Sequence, residues 1–67
     1  MGNMTMLRDK IKESGISFTA VADKIGVSRE TLYNRINGES EFKASEIACL
    51  TNMLQLNKSE QDNIFFN

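Results

Sequence analysis

Ser17–Gly38, SFTAVADKIGVSRETLYNRING, reads as two short amphipathic helices broken at Gly26. Ser17 is a helix N-cap, because its hydroxyl oxygen can accept from the free N–H groups of a first turn. Phe18, Val21, Ala22 and Ile25 then recur at helical spacing and make one apolar face. Ala22 is small enough to let a second helix cross closely. Gly26 follows, as a residue free to take positive φ at a helix end. Val27 returns an apolar group to the interior, and Ser28 caps a second helix that runs to about Asn37. Its inward positions are Leu32 and Ile36; Arg29, Glu30, Tyr33, Asn34 and Arg35 point outward. Asn37-Gly38 closes it.

An outward row of Arg, Glu, Tyr and Asn on a lone surface helix would usually be no more than solvated. Here the row follows an A-x-x-x-G spacing and a short turn, which makes the pair a helix-turn-helix. That form carries its second helix into a DNA major groove. The side chains match the groups exposed there, since Arg pairs with guanine O6/N7, Asn with adenine N6/N7, and Glu accepts from cytosine N4.

The stretch resembles the lambda-repressor-like (Cro/XRE) helix-turn-helix family. The resemblance rests on Val21-Ala22-Asp23-Lys24-Ile25-Gly26-Val27-Ser28, on Thr31-Leu32 and on Asn37-Gly38. It continues more softly through Glu41-Phe42, Ser45-Glu46-Ile47 and the closing Ile64-Phe65-Phe66, as in small phage and prophage members, and so spans about residues 5–67. It implies an all-α, compact five-helix bundle with the helix-turn-helix in helices 2 and 3, as one DNA-binding domain over residues 1–67. It also implies that Arg29, Glu30, Tyr33 and Asn34 read bases. Ser17, Thr19, Ser28, Asn37 and Lys43 fall to phosphate contact, and Arg35 either to phosphate or to a plain surface role. Free N–H groups at the helix start near Ser17–Thr19 favour phosphate for the same reason.

The chain departs from the family in four places. Phe18 stands where Gln is frequent, so a polar contact there passes to Thr19 or is lost. Ile11 and Ile36 stand where many members pair an Arg with a Glu, and an apolar pair can replace a buried ion pair without loss of stability. Arg35 stands where an apolar residue is more usual. Glu39-Ser40-Glu41 replaces a loop that is often basic.

Sixty-seven residues leave room for one small domain with a marginal core. The chain has no proline, its β-branched residues do not alternate, and its apolar fraction of 40% is that of a globular chain. The formal net charge of −1 counts against nucleic acid, but it is unevenly spread. Residues 1–37 carry six basic against four acidic side chains, a net of +2; residues 38–67 carry two against five, a net of −3. The helix-turn-helix lies in the positive half, with an excess small enough to imply few phosphate contacts.

The remaining segments fit a helical bundle. A first helix is expected over about Met6–Glu13, capped by Thr5, with Leu7 and Ile11 inward. Glu39–Lys43 reads as a loop with Phe42 as an anchor. A fourth helix is expected over about Ala44–Gln55, weakly capped at Lys43, with Ile47, Leu50 and Leu54 inward. Asn57-x-x-Glu60 is a capping box for a short last helix. Phe65 and Phe66 either plug the bundle or serve a dimer contact.

Cys49 is the only cysteine, which excludes an intramolecular disulfide, and it reads as a packed thiol rather than a reactive one. With no histidine, no Gly-rich phosphate loop and no nucleophile–base pair, no enzyme activity, metal, cofactor or small-molecule ligand is expected. No segment reads as a signal peptide or membrane span, so the expected location is the host cytosol. The expected function is a sequence-specific regulator of the Cro-like phage or prophage type. It would bind double-stranded operator DNA through about residues 28–37, as a homodimer at least on DNA, and occlude a promoter. The competing function is an antitoxin- or anti-repressor-like protein-interaction module on the same fold, motivated by the acidic balance, Phe18, Glu39 and Glu41.

Overall fold

The helix boundaries follow from where this chain can satisfy the backbone groups that every helix leaves free at its ends. The computed structural model describes residues 3–66. Within them lie five α-helices: α1 (Met4–Ser14), α2 (Phe18–Ile25), α3 (Arg29–Ile36), α4 (Ala44–Met53) and α5 (Lys58–Gln61), which runs on into a π-helical turn, Asp62–Phe66.

α1 starts earlier than its sequence suggested. Asn3, not Thr5, is the cap: its Oδ1 accepts from the Met6 N–H at 3.1 Å. The Asn3 N–H is itself held by the Asn63 carbonyl at 3.1 Å, so the start of α1 is fixed by the C-terminal turn. Lys10 pairs with Glu60 and ties α1 to α5 as well.

α2 and α3 form as their caps predict. Ser17 Oγ accepts from the Ala20 N–H and Ser28 Oγ from the Thr31 N–H, each at 3.1 Å. Gly26 has φ +81°, and its N–H bonds to the Asp23 carbonyl while the Val27 N–H bonds to that of Ala22. This paired closure stops α2 and aims Val27 back at the core.

α4 begins at Ala44 although Lys43 offers no side-chain acceptor. Glu46 compensates: its Oε1 accepts from the Lys43 N–H at 3.0 Å. α4 ends at Met53, two residues before the expected Gln55. Gln55 takes the left-handed conformation at φ +53°, and the N–H groups of Gln55 and Leu56 close on the carbonyls of Asn52 and Thr51. The reversal carries Leu56 into the core. Asn57 and Glu60 form the expected capping box, with bonds of 2.8 and 3.0 Å.

The core holds Leu7 and Ile11 from α1, Val21 and Ala22 from α2, Leu32 and Ile36 from α3, Leu50, Leu56 and Ile64. Ile11 and Ile36 are both buried, so the positions that elsewhere hold an ion pair are filled by hydrocarbon. Each such buried side chain stabilises the fold by roughly 1.5–3 kcal/mol before chain entropy is set against it. Ile47 and Leu54, expected inward, are only half-buried; Glu46 takes the inward place beside Leu50.

Candidate nucleic-acid interface

α3 packs on α2 and α1 through Leu32 and Ile36, which leaves its opposite side open. Arg29 and Glu30 are exposed in its first turn; Tyr33 and Asn34 are half-buried one turn on. The Arg29 guanidinium carbon lies 5.4 Å from the Tyr33 ring centroid, within cation–π range. Tyr33 also touches Phe18, with ring centroids 5.3 Å apart and planes inclined by 33°. Phe18 therefore fills its departure from the frequent Gln with an aromatic contact to α3, and Thr19 beside it is exposed.

The expected phosphate contacts are distributed around this row. Ser17 spends an Oγ lone pair on capping α2, which leaves its hydroxyl proton available. Ser28 is more committed, since its hydroxyl also donates to Thr31 Oγ1 at 2.9 Å. Asn37 caps the far end of α3 and is exposed; its Oδ1 accepts from Arg8 Nη2 at 2.8 Å. Arg8 carries no signal within its own helix that would mark it for this surface. It sits 29 residues from Asn37 along the chain, and only the packing of α1 on α3 brings the two together. Lys43 is exposed at the start of α4.

Arg35 does not point outward. Its side chain is 11% exposed and turned toward α4, where Nε lies 2.8 Å from Glu46 Oε1 and Nη2 donates to Oε2 at 3.1 Å. Nη1 donates to Ser40 Oγ at 3.0 Å. In this structure the Arg35 guanidinium is engaged by Glu46 and Ser40 and turned away from the open side of α3 that carries Arg29. This pair clamps α3 to α4 and the loop between them. Burial pushes the Glu46 carboxyl toward a higher pKa, but the Lys43 N–H and the Arg35 guanidinium outweigh it and hold the group below the ordinary carboxylate range. The sequence held a signal for this: a Glu three residues after a poor cap has a backbone N–H to serve.

The C-terminal aromatics divide. Phe65 is half-buried and meets Phe42 edge-on, with centroids 5.6 Å apart, whereas Phe66 is 63% exposed. Together with Met4, Ile47 and Gly38 they line a shallow groove of about 450 Å³. Cys49 is half-buried, with Sγ 3.5 Å from the Lys24 carbonyl oxygen. Among the described residues, no three or more His, Cys, Asp or Glu gather where they could hold a metal ion, and no helix is long and apolar enough to cross a membrane.

Two capped helices joined by a glycine turn, with Arg29 and Glu30 exposed and Tyr33 and Asn34 half-buried on the second, have the form of a DNA-binding helix-turn-helix. Comparison with protein families agrees: residues 7–60 match the helix-turn-helix model of the Cro/C1 type, and the chain belongs to that family. Its function is accordingly that of a DNA-binding transcription regulator in the general sense. No curated protein and no solved structure matches the chain.

Proposed function

We propose that the chain is a sequence-specific repressor of the small Cro-like, phage or prophage type. It binds operator DNA as a homodimer, with α3 in the major groove, and excludes polymerase from an overlapping promoter. The observation that carries this reading is the open side of α3, where exposed Arg29 lies near the half-buried Tyr33 with Glu30 and Asn34 alongside. In it, Arg29, Glu30, Tyr33 and Asn34 read bases. Ser17, Thr19, Ser28, Asn37, Lys43 and, added by its bond to Asn37, Arg8 hold phosphates.

The dimer follows from reach. Eight residues of helix read only a few base pairs, and two copies on one DNA face would place their half-sites roughly 34 Å apart. Phe66 and the groove beside it supply an apolar face outside the α3 row for the second copy.

The test is selection of duplexes from a random pool, followed by a salt-titrated gel shift on the selected sequence and on the DNA flanking the chain's own gene. The expected result is a competitor-resistant, salt-dependent band whose affinity falls when Arg29 is replaced by Ala. Enrichment of no sequence would refute the reading. It would favour instead the protein-interaction module, for which the same groove and the acidic second half of the chain are the supporting observations.

A further inference from the structure

We propose that Phe18 and Tyr33 form an apolar reading surface beside Arg29 that selects a thymine, through its 5-methyl group, next to the guanine that Arg29 contacts. The inference rests on the DNA-binding reading above and specifies the step that α3 takes.

Three observations meet at this point. The Arg29 guanidinium lies 5.4 Å from the centre of the Tyr33 ring. The Tyr33 and Phe18 rings lie 5.3 Å apart. Both rings are only half-buried, although they flank the most polar surface of α3. A guanidinium held within cation–π range of a ring can still turn its N–H groups to a bidentate partner. Guanine O6/N7 is such a partner. The contact also restrains the long Arg29 side chain before DNA arrives, so less rotamer freedom is lost on binding.

Phe18 packs partly against the core, and the part of the two rings left open beside Arg29 suits a different partner. The major groove is lined with hydrogen-bonding edges, and its one apolar group is the thymine C5-methyl. Phe18 cannot hydrogen-bond a base or a phosphate, so on this face it contributes through hydrocarbon contact. Because Phe18 reaches α3 through Tyr33, it acts on Arg29 as a positioning residue and on the methyl directly.

The test uses the duplex selected by the wild-type chain. Each thymine is replaced singly by deoxyuridine, which removes only the methyl group, and each guanine by 7-deazaguanine, which removes N7. Dissociation constants are measured by fluorescence anisotropy for the wild type, Arg29→Ala and Phe18→Ala. One thymine-to-uracil change should weaken the wild type about three- to fourfold, as loss of one buried methyl implies. That thymine should neighbour the guanine whose N7 matters to the wild type but not to Arg29→Ala. Phe18→Ala should bind the thymine and uracil duplexes equally, an outcome that general destabilisation would not produce.

The proposal is overturned if no thymine replacement alters wild-type affinity, if the sensitive thymine is remote from that guanine, or if Phe18→Ala keeps the wild-type preference. The first two outcomes need only the wild type and Arg29→Ala, so a Phe18→Ala chain that failed to fold would still leave them decisive. Specific binding without a methyl effect sinks this inference alone; selection of no duplex sinks the DNA-binding reading with it.

Discussion

Replacing Arg35 by Ala separates the role the structure gives this residue from the one its sequence position suggested. The substitution leaves Glu46 with the Lys43 N–H but without its cation, in a site where the carboxylate side chain is 5% exposed. Removing Arg35 costs about 1.5–3 kcal/mol, the scale of hydrogen bonds to charged groups, because the Ala side chain opens Glu46 to the groove that Arg35 lines. A domain of this length has a total stability of roughly 3–10 kcal/mol, so the loss is a large fraction of the whole. At about 4–8 °C per kcal/mol for a small domain, the melting temperature should fall by at least about 6 °C. The double variant Arg35→Met with Glu46→Met should recover most of that loss, since it removes both charges and keeps the volume. Thermal and urea unfolding followed by far-ultraviolet circular dichroism read both effects. Added salt should change them little, because buried pairs are weakly screened. The reasoning is refuted if Arg35→Ala melts within a few degrees of the wild type while its DNA binding weakens and loses salt dependence. Arg35 would then be a phosphate contact.

Acid should loosen the same clamp. Glu46 is held below the ordinary carboxylate range in the fold, so its contribution is fully present above the unfolded carboxylate pKa of about 4.3 and is lost as pH falls through the lower folded value; Glu46→Gln should flatten this part of a stability–pH curve measured by urea unfolding. Gln55→Gly should raise stability by about 1 kcal/mol, because Gln55 sits at φ +53° where a side chain is strained, and no rise in melting temperature would contradict that account. Arg8→Ala should weaken binding to all DNA sequences alike and lower the slope of log K against log salt by about one; a sequence-selective loss would place Arg8 at a base edge.

What the sequence made legible was local. Ser17, Gly26, Ser28 and Gly38 announce helix ends through their own conformational preferences, so the helix-turn-helix emerged with its boundaries nearly right. The errors came where a distant partner or an atypical residue decided the outcome. α1 had two candidate caps, Asn3 and Thr5, and the Asn63 carbonyl that anchors Asn3 comes from the other end of the chain. The end of α4 depends on Gln55 taking a conformation that glycine usually takes.

The candidate site shows the same division. Arg29, Glu30, Tyr33 and Asn34 follow from helical spacing alone. The turn of Arg35 toward Glu46, the bond from Arg8 to Asn37 and the contact of Phe18 with Tyr33 all join different helices, and no period within one helix encodes them.

The most direct test of the central claim, that the open side of α3 is the DNA-binding surface, is a titration of the isotope-labelled chain with its selected duplex, followed by backbone amide NMR shifts. The account predicts that the largest changes fall on Ser17–Thr19, on Ser28–Asn34, and on Arg8 and Asn37, with the signals of Glu39 and Glu41 little moved. Changes centred on Phe42, Phe65 and Phe66, with the Arg29–Asn34 signals unmoved, would contradict it.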